Sequence, residues 1–112
     1  MLSTPDSYNW FISTKAAAST WLETTTLESV ARMAEYHPAG LIDLVSPKPQ
    51  LIIAGTNDSL IPIALVRDAF QRAGEPNKLV EIDCGHFDFY PGMPHHARAS
   101  QEARDWFREA LM

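Results

Sequence analysis

Pro47-Lys48-Pro49-Gln50-Leu51-Ile52-Ile53-Ala54-Gly55-Thr56-Asn57-Asp58 is the stretch whose reading decides the fold. Its two prolines favour an extended approach, since each disfavours the helical conformation in the residue before it. Leu51 to Ala54 then runs without a polar residue, the pattern of a strand covered on both faces inside a parallel sheet. Gly55 to Asp58 is a turn by composition. Beyond it, Pro62 opens a helix whose Ile63, Val66, Phe70 and Ala73 share one stripe, and Gly74 stops it. Lys78 to Ile82 reads as a second strand, followed by the loop Asp83-Cys84-Gly85-His86. After a Pro- and Gly-rich loop from Tyr90 to Pro94, a closing helix carries Ala99, Ala103, Trp106, Phe107 and Ala110 on its apolar face, with Trp106 and Phe107 expected in the core.

Toward the N-terminus, Thr25 and Glu28 stand at capping-box spacing ahead of a helix with Leu27, Val30, Ala31 and Ala34 on one face. His37-Pro38-Ala39-Gly40 ends that helix. Ser3 to Thr24 is mixed, yet its Tyr8, Trp10, Phe11 and Trp21 are too many aromatics for a free tail, because leaving them in water forgoes a large burial term. They are expected to pack.

The resulting order is helix, strand, helix, strand, helix. It predicts the α/β class, as one βαβ unit with parallel strands, a right-handed crossover and flanking helices. Residues 1–46 form a helical lead-in and residues 47–112 a βαβα segment within one domain. Two parallel strands alone leave exposed edges, so the chain reads as the end of a larger sheet, prone to self-association through those edges.

The 112 residues carry a net charge of −5, with 46% hydrophobic and 21% charged residues. Scattered basic residues on an acidic chain offer no footprint for nucleic acid or an anionic membrane. The short apolar runs exclude a membrane span. Met1 to Trp10 has no Lys or Arg, so no signal peptide is expected, and Ala110-Leu111-Met112 lacks the basic middle residue of a peroxisomal address. The single Cys84 excludes an internal disulfide and fits a reducing compartment. Together these predict a cytoplasmic protein.

Chemistry concentrates at two positions. Asp58 stands just past the carboxyl end of the first strand and His86 just past that of the second, 28 residues later. Open parallel sheets bind ligands outside those strand ends. A carboxylate beside an imidazole fixes the tautomer of the ring and stabilises the imidazolium formed in proton transfer. The bland alternative for Asp58 is a turn aspartate bonded to its own backbone, and for His86 a plain loop histidine. Asp88, two residues from His86, is expected to cap or orient the loop. Cys84 has no helix N-terminus or basic cluster to activate its thiol. Ser59 reads as a turn or capping residue. His95 and His96 point apart and lack a third ligand, so solvated loop histidines are expected, with no metal and no cofactor. Phe87, Phe89 and Tyr90 either edge an acyl pocket or simply pack.

Pro47 to Asp58 resembles the acid-bearing strand and turn of α/β-hydrolases, and Gly85-His86-Phe87-Asp88-Phe89-Tyr90 resembles their histidine loop. Ala73-Gly74-Glu75-Pro76-Asn77-Lys78-Leu79-Val80 is similar to the helix-to-strand junction of the dienelactone-hydrolase-like branch, which includes fungal hydrolases and polyketide acyltransferases of secondary metabolism. The likeness extends from about Thr4 to Leu111. It implies the carboxy-terminal part of an α/β-hydrolase fold, with Asp58 and His86 as triad acid and base. It also implies a serine-type hydrolase or acyltransferase acting on an ester, thioester or polyketide-like acyl substrate. The family's Gly-x-Ser-x-Gly nucleophile elbow is framed by none of the five glycines, and the resemblance places elbow and oxyanion hole ahead of Met1. A non-catalytic remnant, or a half-domain that acts only with a partner, is therefore the competing expectation.

Overall fold

The computed structural model describes residues 4–18, 20–22 and 24–111. Met1 to Ser3 and Met112, on which the readings of leader and tail partly rest, lie outside the described residues. The described residues form the α-helices α1 (Pro5–Thr14), α2 (Leu27–Glu35), α3 (Ile63–Arg72) and α4 (His96–Leu111), and the strands β1 (Gln50–Gly55) and β2 (Asn77–Ile82). Short 3₁₀ segments occupy Lys15–Ala17, Pro38–Val45 and His86–Phe89.

The expected βαβ order is present: β1 and β2 pair in parallel, from Gln50 opposite Asn77 to Gly55 opposite Ile82. The class is α/β with a two-stranded parallel sheet among the described residues. Ile63, Val66, Ala69 and Phe70 are half-buried along α3, while Leu65 off the stripe is exposed. Arg67 of α3 makes a two-pronged ion pair with Glu81 of β2, both bonds 2.7 Å. Hydrogen bonding to the guanidinium, followed by its charge, holds the Glu81 carboxyl below its usual range.

On the face toward α4, Val80, Ile82 and Cys84 form the core, with Leu51, Ile53, Phe89 and Ala99 packed around them. Ile82 is only 1% exposed. Lys78 Nζ reaches Glu102 Oε2 at 3.0 Å and ties α4 to β2. Two strands are narrower than a helix of 16 residues can use. Phe107, expected in the core, is consequently 60% exposed, and with Trp106 and Ala103 it walls an open groove beside Pro49 to Ile53.

Three further features depart from the sequence reading or go beyond it. First, α2 is capped one residue later than the Thr25–Glu28 spacing implied. The Thr26 hydroxyl accepts the Ser29 amide at 3.1 Å, and Glu28 pairs instead with Arg32 one turn on. Second, the apolar stripe of α2 faces water, with Leu27 89% exposed. Third, residues 5–14 are a helix, begun by Thr4 as N-cap, Pro5 in the first position and Asp6 in the first turn. Trp10 and Trp21 do find ring partners, as their number required, whereas Tyr8 stays exposed. Among the described residues no helix is long and apolar enough to cross a membrane.

Candidate functional site

The parallel register brings the carboxyl ends of β1 and β2 level, so the turns leaving them run side by side. Those turns are laced together. Thr56 N–H donates to Ile82 O at 2.9 Å and Asn57 N–H to Cys84 O at 3.1 Å, while the Thr56 hydroxyl and Asn57 amide both donate to Asp83 Oδ1. Gly55 permits this approach. A Cβ there would lie 2.5 Å from the Cys84 carbonyl oxygen, far inside contact distance.

From this double turn Asp58 and His86 meet. Asp58 Oδ2 lies 2.8 Å from His86 Nδ1. A carboxylate can only accept, so Nδ1 carries the proton of this contact, and in the neutral ring Nε2 is the nitrogen left as a base. The other oxygen, Oδ1, accepts the amides of Leu60 at 2.8 Å and Ile61 at 2.9 Å. One side chain thus makes both kinds of contact: the backbone bonds orient the carboxylate, and its second oxygen is presented to the imidazole. The Asp58 side chain is 8% exposed and that of His86 25%, so the pair is sheltered while the ring keeps an opening to solvent.

Both residues line a groove of about 370 Å³ whose other walls include Ile52, Ala54, Ile61, Val66, Phe89 and Tyr90. It is lined by β1 and not by β2. Phe89 and Tyr90 line this groove and also pack, Phe89 against the core and Tyr90 against the Trp10 ring. Phe87 does not line it; that ring is buried, stacked on Trp10 with centroids 5.1 Å apart and edge-on to His86 at 4.9 Å.

The neighbouring groups have other work. Asp88 Oδ2 accepts the Gly85 amide at 2.8 Å and orients the histidine loop, as its position suggested. Burial, chiefly, and then the carboxylates of Asp88, Asp58 and Asp83 push the Cys84 thiol up, which leaves it unreactive. Ser59 is not merely a turn residue: its hydroxyl donates to Asp6 Oδ2 of α1 at 2.7 Å. Hydrogen bonds from Thr4 and then Ser59 hold the Asp6 carboxyl below its ordinary value. His96 is no solvated loop histidine either. It opens α4 half-buried, with Nδ1 2.9 Å from the Phe89 carbonyl oxygen, because the helix start folds back over the histidine loop. Among the described residues no three His, Cys, Asp or Glu side chains gather as a metal site would require.

Sequence reasoning placed Asp58 and His86 at one edge, where the structure brings them together, but did not anticipate Asp6 and Trp10 beside them. The Thr4-Pro5-Asp6 helix start was a readable signal for α1; that α1 lies against these two turns was not. The chain matches no family model, and it matches no curated protein.

Proposed function

We propose that Asp58 and His86 are the acid and base of a hydrolase-type catalytic triad, within the carboxy-terminal part of an α/β-hydrolase fold. The 2.8 Å contact between His86 Nδ1 and Asp58 Oδ2, at the carboxyl ends of two parallel strands, carries this reading. Asp58 holds the ring with Nε2 free. His86 takes the proton of an attacking hydroxyl through Nε2 and returns it to the leaving group, while Asp58 stabilises the imidazolium formed between the two steps. The apolar walls of the groove suit the acyl part of an ester, thioester or polyketide-like substrate. Hydrolysis and acyl transfer share this logic, and both pass through an acyl-enzyme.

The hydroxyl and thiol nearest the pair in sequence are engaged, Ser59 with Asp6 and Cys84 in the core. In this proposal the attacking nucleophile is therefore neither of these two groups. A second reading has its own support. β1 pairs on one side only among the described residues, and apolar grooves lie along it on both faces, as expected of a half-domain that acts only once a partner covers that edge.

The test has two parts. Nitrogen-15 NMR of His86 should show the Nδ1–H tautomer, lost in Asp58→Ala; an Nε2–H ring in the native chain would refute the acid–base pair. The 112-residue chain should neither turn over p-nitrophenyl esters nor label with a fluorophosphonate. Turnover abolished by His86→Ala would place the nucleophile within the chain and remove the half-domain reading.

A further inference from the structure

α1 touches both turns that carry the pair. Asp6 and Trp10 are four residues apart, hence on one face of the helix. Asp6 Oδ2 accepts the hydroxyl of Ser59, the residue next to Asp58. Trp10 stacks on Phe87, the residue next to His86, with ring planes 17° apart, and its centroid also lies 4.9 Å from that of Tyr90. The contacts close into a ring: Asp6 to Ser59, along the chain to Asp58, across to His86, edge-on to Phe87, and by stacking back to Trp10. Ser7, between the two anchors, is fully buried, with its hydroxyl 2.6 Å from that of Thr4. Tyr8 on the same helix is 67% exposed and takes no part.

We infer that α1 is a strap across the site, and that Asp6 and Trp10 are positioning residues that hold Asp58 and His86 in register through Ser59 and Phe87. The inference rests on the reading of Asp58 and His86 as an acid–base pair. The two strands alone cannot supply this function. They level the turns, while the imidazole has the Asp58 carboxylate on one side and the edge-on Phe87 ring on the other. Aromatic pairs add about 0.5–1.5 kcal/mol beyond burial, enough to bias a rotamer of a partly exposed ring. The polar anchor complements the aromatic one, because it acts on the acid turn while the stack acts on the histidine turn.

Nitrogen-15 NMR at a pH where the ring is neutral provides the test, combined with amide relaxation over 58–60 and 85–90. In the native chain the Nδ1–H tautomer should dominate and both turns should be rigid. Trp10→Ala should lose that dominance and loosen 85–90, and Trp10→Phe should restore both. Ser59→Ala and Asp6→Ala should loosen 58–60 and weaken the tautomer preference by a smaller amount. Tyr8→Ala should change neither. If Trp10→Ala does not fold, Ser59→Ala decides, since it removes one oxygen from an exposed hydroxyl. Native-like tautomer and relaxation in Ser59→Ala and in folded Trp10→Ala would overturn the strap while leaving the acid–base pair intact. An Nε2–H ring in the native chain would instead remove the pair, and with it any positioning role for α1.

Discussion

The two parts of the chain treat their apolar side chains differently. From Gln50 onward, Ala54, Ala73, Val80, Ile82, Cys84 and Phe87 are buried around a parallel strand pair. Ahead of it, Ser7 is the buried residue among those described, while Leu22, Leu27, Met33, Tyr36, Leu41 and Leu44 are 61–89% exposed. Amphipathic patterning is present in both parts, so patterning alone does not bury a face. A helix needs a surface of matching width. The strand pair supplies such a surface to α3 and to the first half of α4, and it is too narrow to serve α2. α1 is the exception in the leading part. It docks by rings and one hydrogen bond on the two loops at the carboxyl edge rather than on the sheet itself.

The largest effect should come from the centre of the second part. Ile82→Ala removes a branched side chain that is 1% exposed, and Ile→Ala at such a site costs about 2–5 kcal/mol. Urea denaturation should show the loss as a lower midpoint with little change in slope. A loss below about 1 kcal/mol would mean that Ile82 is not the keystone of a cooperative core, and the contrast between the two parts would fail.

Gly55→Ala should have a smaller effect on stability and a more local consequence. Its Cβ would meet the Cys84 carbonyl oxygen at 2.5 Å, and neither atom is the flexible end of a side chain. Overpacking of this kind costs about 1–3 kcal/mol. The relief available is to part the two turns, which lengthens the Asp58–His86 bond. The variant should therefore remain folded while the His86 Nδ1–H signal is lost. Retention of that signal would show that the pair does not depend on the close approach of the strand ends.

Much of the second part was legible because its signals are local and repeated. Leu51 to Ala54 is apolar without interruption, Gly74 follows the α3 stripe, and strand direction places Asp58 and His86 at one edge. The mutual approach of those residues follows from one crossover helix between two short loops. The first part was less legible for two physical reasons. Thr25 and Thr26 both offer a capping hydroxyl, and the choice between them depends on which amide is reached, here that of Ser29. The contacts of Asp6 and Trp10 bridge 53 and 77 positions in sequence, so no periodicity encodes them. Likewise Phe107 carries the helical spacing of a core residue, but the width of the sheet decides whether the core extends that far.

The smallest expected effect sharpens the comparison most. Leu27→Ser replaces a large apolar residue at the first position of α2 by a small polar one. At an ordinary amphipathic helix docked on a sheet, the change would cost on the order of 2–3 kcal/mol of burial. Leu27 is 89% exposed, so the expected change is within about 0.5 kcal/mol, in either direction, because there is almost no buried area to lose and serine propensity is only slightly below that of leucine. The same substitution also reads out association. If a second copy or a partner covers the α2 stripe, the loss should appear only at concentrations where the complex forms, making the unfolding midpoint concentration-dependent in the native chain and independent of concentration in Leu27→Ser. A penalty above about 1 kcal/mol that persists on dilution would instead mean that α2 lies against its own chain in solution, and that the leading part is packed in the same sense as the sheet.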